Sequence, residues 1–535
     1  VATLIVAAIA IVVLSTIFIR ARVQAAEQAR LAQQSGQKIK EIEIFMRYAY
    51  ALPLHDTSVE KAVIRARMAS ISQDMARLDG EAAAMAFYAL GRGHLALQEY
   101  EKALEYLRLA HKGGLRTPAV EYALGRTLGE LYNKQFKEVQ RRSGKRFQES
   151  KAKIDHDLLE PALHHLRQSG GEHGESRPLA EGLLAYYSQQ FEEALKKGQE
   201  ALTAEPWLYE AKKLQADVYY AYGRRNQNSG QYQKARSDYR SAAELYHGAA
   251  EMARSDSSIH SAEADTWVQI MELDKTQGLS PKEAYERALE ACDRAIVSFS
   301  ENDSAVRKKV WAMTRWAEHL STHGQDPRSI AQQAVETALR AYAMNPNNAF
   351  PHDQIGLAYQ LIANYENDHG LDTAESEKKA IEAFSKSIEI NRNFAWALND
   401  YGVLLSTKAD WLGARGQDYY SELDQAIEKP NAAIEADQDY AVAYSNLAHA
   451  HQQMATWEIE HGKSPDLWIG KAIHTSTRSL QVNPNYYQTY RNLASVYALR
   501  AKYELSYGRG APAAVALGKA HEALNQAIKA NPDDA

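Results

Sequence analysis

Three groups of side chains in this 535-residue chain are of types that do chemistry. Gly91-Arg92-Gly93 opens like a glycine loop, in which backbone N–H groups close on a phosphate, but Ala96 stands where the third glycine belongs. The segment fits a helical repeat instead. His156, His164 and His165 lie near Asp155, Asp157 and Glu160, imidazoles and carboxylates of the sort that hold zinc. Their spacing matches no zinc signature, and a solvated helix face accounts for them better. Cys292 is the one cysteine, which excludes an intrachain disulfide and any multi-cysteine zinc site. It shares a helix position with Tyr246, Ala338 and Phe384, so it is expected to be a small buried residue and not a nucleophile. HExxH, GxSxG and P-loop patterns are absent from the sequence. No catalytic, cofactor-binding or metal-binding residue is therefore expected, and a hydrolase working within this chain is disfavoured.

The elements that would position such groups are helices. With 45% hydrophobic and 24% charged residues the chain can bury a large core. Lys and Arg total 62 against 68 Asp and Glu, a net charge of −6 without the basic footprint that a phosphate backbone requires, so nucleic acid is not an expected partner.

Residues 1–19 carry no charge before Arg20 and Arg22, and as a helix would be about 28 Å long, close to a bilayer's hydrocarbon thickness. They read as a transmembrane helix, which makes a membrane one expected partner. A secretory signal fits less well, because no charged segment precedes the run and Ala21-Arg22-Val23 is a poor cleavage site. A chain that starts at Val1 inside such a run is expected to be a piece of a longer protein. Arg20, Arg22, Arg30, Lys38 and Lys40 by themselves favour a cytoplasmic C-terminal side. Residues 20–83 read as a juxtamembrane helical linker with Ile39, Ile42, Phe45 and Met46 at helical spacing. Leu52-Pro53-Leu54 should break it, with a new helix near Thr57 or Ser58.

From residue 84 the chain repeats itself. Ala242, Ala288, Ala334, Ala380, Ala426 and Ala472 stand 46 residues apart, each followed by an apolar or small residue. Seven positions on come Ala249, Ala295, Ala341, Ser387, Ala433 and Ser479, and a third column holds Gly278, Gly324, Gly370, Gly416 and Gly462. Small residues seven apart on one face admit a neighbouring helix closely, and the glycine can end the preceding helix in the left-handed conformation. Each unit is thus a helical hairpin. Ser280-Pro281, Asp326-Pro327 and Ser464-Pro465 mark second-helix starts, with Asp372 and Asp418 in the equivalent place, and proline is expected at the first helical position. Asn345-Pro346-Asn347, Asn483-Pro484-Asn485 and Asn531-Pro532-Asp533 separate one hairpin from the next. The last of these leads to an expectation of further repeats after Ala535.

These residues resemble the tetratricopeptide repeat, whose usual unit is about 34 residues. One unit reads Phe87, Leu90, Gly91, then Ala103, Leu107 and Ala110; another reads Gly182, Ala194, Gly198, Ala201, Pro206. Later units keep the pattern, as at Ile355-Gly356 and Tyr359 before Ala380, but about twelve extra residues lengthen the hairpin to helices of roughly 20 and 16 residues. The expected fold is all-α: a superhelical array of about ten hairpins, with repeats over 84–230, an irregular region at 126–176, and units of 46–48 residues over 231–535. The small-residue and tyrosine columns are expected to be packing. The resemblance implies a ligand-facing groove lined by first helices, and its register falls on Asp353, Asn399, Ser445 and Arg491, with His449 and Gln452 nearby. Polar residues there are expected to be exposed.

The span, linker and array together resemble the C-terminal half of bacterial transmembrane serine/threonine protein kinases. The segments 47–56, 88–93 and 122–125 look like the region joining span and repeats in that group. No HRD, DFG or APE motif is present, so ATP and Mg²⁺ would enter only through a domain upstream of Val1. The resemblance implies repeats on the extracytoplasmic side of the membrane, against the direction of Arg20 and Arg22. The expected function is a membrane-anchored interaction and sensor module that takes a protein or peptide in its groove and regulates an attached kinase. The alternative is a tethered assembly scaffold of envelope or secretion machinery with no enzyme attached.

Overall fold

The computed structural model describes residues 15–16, 18–20, 22, 41–42, 44–75, 80–139, 144–170 and 176–531. The transmembrane expectation over 1–19 lies outside the described residues apart from four positions near its end; among the described residues no helix is long and apolar enough to cross a membrane.

All regular structure among the described residues is helical. Helix α1 (44–51) stops at Leu52-Pro53-Leu54, and α2 (Ser58–Asp74) follows. Ten hairpins come next. They pair α3 (Gly80–Ala96) with α4 (Tyr100–Lys112), then α5 (Pro118–Val139) with α6 (Gly144–Ile154), a π-helical turn (Asp155–Leu159) and α7 (Glu160–Gln168). Next are α8 (Arg177–Tyr187) with α9 (Phe191–Ala204), α10 (Tyr209–Asn228) with α11 (Tyr232–Met252), and α12 (Ser257–Thr276) with α13 (Lys282–Ser298). The regular units continue with α14 (Asp303–Thr322) and α15 (Arg328–Met344), α16 (Phe350–Asp368) and α17 (Ala374–Ile390), and α18 (Ala395–Ala414) and α19 (Tyr420–Ala436). The last two are α20 (Ala441–Glu460) with α21 (Asp466–Val482), and α22 (Tyr487–Ser506) with α23 (Gly510–Ala530).

The small-residue columns are the seams of this array. Ala242, Ala288, Ala334, Ala380, Ala426 and Ala472, and the six small residues seven positions on, are each at most 1% exposed. Where serine replaces alanine its hydroxyl is used: Ser387 Oγ donates to the Ala349 carbonyl at 2.9 Å, and Ser479 Oγ to that of Ala441 at 2.8 Å. The glycine column takes φ between 63° and 72° from Gly230 through Gly508. The residue after each glycine closes the helix with an N–H bond five residues back, as from Leu279 to Asp274 and from Leu371 to Glu366, both 2.8 Å. Close approach uses other glycines: a Cβ on Gly356 would sit 2.6 Å from the Phe384 ring. The prolines expected inside the second helices stand just before them instead, and the capping acids act two residues on, Asp326 Oδ1 accepting from Arg328 N at 3.0 Å.

The irregular region is one hairpin whose second arm is broken. Pro161 cannot donate a backbone hydrogen bond, and the π turn lies immediately ahead of it. Successive first helices touch one another from α12 to α22, while no two second helices are in comparable contact among the described residues. The array therefore curves with its first helices on the concave side.

The N-terminal segment closes the first turn of that curve. Ile42, Met46 and Tyr50 are buried in one cluster with Ile64, Met68 and Ile71. Ser255 N donates to the Tyr50 carbonyl at 3.0 Å, and Thr57 donates to the Ser298 carbonyl through both N, at 3.0 Å, and Oγ1, at 2.8 Å.

Candidate functional site

The register carried along the 46-residue period lands on the first helices: Asp353 on α16, Asn399 on α18, Ser445 and its neighbours on α20, Arg491 on α22. Their expected exposure is corrected by the structure. Asp353, Asn399 and Ser445 are 0%, 1% and 1% exposed; His449 and Gln452 are half-buried, and only Arg491 is exposed.

The reason is a ladder of side-chain hydrogen bonds between residues 47 apart on successive first helices. Asn446 Nδ2 donates to Asn399 Oδ1 at 2.9 Å; Asn492 Nδ2 donates to both the carbonyl and Oγ of Ser445 at 3.0 Å. Gln453 Nε2 donates to the Ser406 carbonyl at 3.0 Å, and Lys308 Nζ to that of Ser261 at 3.1 Å. A polar column is buried here because the next unit supplies its partners. One rung differs: Asp353 and Asp400, also 47 apart, are two acids. Burial and the Asp400 charge hold Asp353 well above the usual carboxylate range, and burial pushes Asp400 up to about 6. Gln354 Nε2 donates to Asp353 Oδ2 at 3.0 Å, whereas Asp353 Oδ1 is buried without a partner.

Two open volumes lie on the concave side. The first turn encloses a cavity of about 800 Å³ walled by Tyr100, Tyr132, Tyr186, Tyr187, Tyr220 and Tyr246, with Lys61 of α2 on its rim. Lys213 anchors its floor, 2.8 Å from Asp217 Oδ2 and 3.9 Å from Glu130; burial opposes its charge, but these two carboxylates outweigh burial and raise its pKa. Asp265 ties the turn together, accepting Lys308 of α14 at 3.0 Å and Lys137 of α5 at 3.3 Å. An adjoining cavity of about 310 Å³ is lined by Ile44, Met46, Arg47 and Tyr50 of the N-terminal segment.

The second volume, about 1120 Å³, runs between α6 and the first helices of the regular units. Trp311, Phe350, Phe394 and Trp396 form a half-buried aromatic shelf along it, with ring centroids 5.7 Å apart for Trp311 and Trp396 and 6.0 Å for Phe394 and Trp396. Arg315 lies 4.6 Å over the Trp311 ring. This shelf was missed among the candidate groove residues, although Phe350 and Trp396 stand 46 apart.

The histidine-rich stretch separates. His156 pairs with adjacent Asp157 at 2.9 Å on the surface, and Asp155 is taken by Lys151 and Tyr132. His165 turns away from them to Glu121 of α5, which also meets His111 of α4. Cys292 is fully buried, and burial pushes its thiol up to about 12, the opposite of an activated nucleophile.

The described helix pairs, small-residue seams and concave first helices make the architecture an all-helical array of stacked hairpins, like a tetratricopeptide solenoid. Among solved structures, yeast Tom70 is similar over 90% of this chain and 96% of its own, at 13% identity and a TM-score of 0.38. The APC/C hetero-tetramer Cut9-Hcn1 is similar over 89% of this chain and 79% of its own, at 14% identity and 0.36. YrrB, a TPR protein with an unusual peptide-binding site, is similar over 46% of this chain and 96% of its own, at 17% identity and 0.24. No family model matches the chain, and no curated protein is similar to it in sequence.

Proposed function

We propose that this chain is a protein-interaction scaffold whose concave face takes a peptide segment of a partner. The observation that carries the reading is the aromatic shelf of Trp311, Phe350, Phe394 and Trp396 beside an open channel of about 1120 Å³. Trp and Arg dominate binding energy at protein interfaces, where Phe is also enriched, and here half-buried Trp and Phe rings lie on a concave surface with Arg307 and Arg315 over them. Of the sequence-derived column, His449, Gln452 and Arg491 are the members a ligand could touch.

The finer assignment follows the resemblance at 47–56, 88–93 and 122–125: residues 1–19 tether the array to a membrane, with its repeats on the extracytoplasmic side, and it regulates an attached serine/threonine kinase. It draws support from α1, which lines the same concave space as the repeats, so that a ligand in the first turn would bear on the membrane-proximal segment. The scaffold reading is tested by probing a random peptide array with the full chain and with a Trp311→Ala/Trp396→Ala variant. Peptides retained by the parent should lose binding by at least about tenfold in the variant; equal retention by both would overturn the reading.

A further inference from the structure

We propose that His111, Glu121 and His165 form a binding site for one divalent transition-metal ion of the zinc class. Three helix ends meet there: His111 lies in the last turn of α4, Glu121 in the first turn of α5, and His165 in the last turn of α7. His111 Nε2 is 3.1 Å from Glu121 Oε1, His165 Nδ1 is 2.6 Å from Glu121 Oε2, and the ligand atoms all lie within 4.8 Å of one another.

The donor set is chemically right for such an ion. Two imidazole nitrogens and one carboxylate oxygen suit borderline ions such as Zn²⁺, and three protein ligands leave a fourth position for water. Zinc holds nitrogen and oxygen at about 2.0–2.2 Å, so ligand atoms about 3.3 Å apart surround it tetrahedrally. The two nitrogen–oxygen separations, 3.1 and 2.6 Å, fall within about 0.7 Å of that spacing.

Burial supplies the independent argument. The Glu121 side chain is 9% exposed, and among the described residues its ion-pair partners are these two histidines, with no Lys or Arg within ion-pair distance. A carboxylate buried to that degree is normally neutralised by a cation or a metal. His111 and His165 are 29% and 17% exposed, which leaves an entry path from solvent. The bound ion would pin the first hairpin to the broken arm of the second, the least regular part of the array.

The test is calorimetric titration of the EDTA-treated full chain with Zn²⁺, alongside the visible spectrum of the Co²⁺-loaded chain. One equivalent should bind, raise the melting temperature and give tetrahedral Co²⁺ absorption. His111→Ala and Glu121→Gln should each weaken Zn²⁺ binding by at least about 10- to 100-fold while far-UV circular dichroism stays unchanged. Half-buried His319 and exposed His323, with ring centroids 4.1 Å apart, are the competing chelate, and His323→Ala should leave the single site intact. Absence of binding by the parent, or binding that survives both His111→Ala and Glu121→Gln, would overturn the assignment.

Discussion

The two ends of the array are built on different principles. From α14 to α23 every unit repeats the last, and its packing runs mainly to the neighbouring units through small-residue seams and, from α18 onward, side-chain rungs 47 residues away. The first turn, from α1 to α13, is held by contacts that skip most of the chain: Tyr50 with Ser255, Thr57 with Ser298, Lys137 with Asp265. Regular repeats need only nearest-neighbour terms to be stable. A turn that closes on itself encloses volume, and it is there that the buried tyrosines, the Lys213 network and the three-residue His/Glu cluster lie.

The largest effect is expected at the regular seam. Phe384→Ala empties the fully buried contact against Gly356 and should cost about 3–5 kcal/mol, read as a fall in the denaturation midpoint of the α14–α23 region. Uniform loss of protection across the first turn as well would mean the two regions are one cooperative body.

The odd rung comes next. Asp353 and Asp400 both have pKa values above their ordinary ones, so the folded chain holds these protons more tightly than the unfolded chain does. Stability from this pair is complete at low pH and is lost as pH rises through about 6, with Arg315 the nearby cation that limits the loss. Asp353→Asn should stabilise the chain by about 1–3 kcal/mol at neutral pH and flatten its pH dependence. Melting curves between roughly pH 4.5 and 7.5 measure this; an unchanged slope would show that the pair does not share a proton.

The clasp gives the smallest and most local effect. Thr57→Val keeps the shape and the backbone bond to Ser298 but removes the hydroxyl, which should cost about 1 kcal/mol and speed hydrogen exchange across residues 44–58 alone. Slower or unaltered exchange there would mean that α1 and α2 do not depend on that contact.

Much of the regular half is legible in the residues themselves. The left-handed glycines and the buried alanines recur at fixed spacing, and Cys292 fills one place in a buried column, because each is dictated by contacts inside one hairpin or with the next. The polar column was legible in register but not in environment. Asn399 and Ser445 look like a solvated face until the next first helix places Asn446 and Asn492 against them. His165 shows the same limit: its sequence neighbours point to a surface cluster, and its spatial partners are 44 and 54 residues away.

Residue pattern alone specifies the helices of the regular units, their lengths, their pairing and the residues of the seams, since these rest on periodicity and on local backbone chemistry. Which polar groups are buried, where two acids come together, which aromatics form the shelf and how the N-terminal segment shuts the first turn emerge only when the units pack. Those features depend on the accumulated curvature of many units, which brings together residues that no local pattern connects.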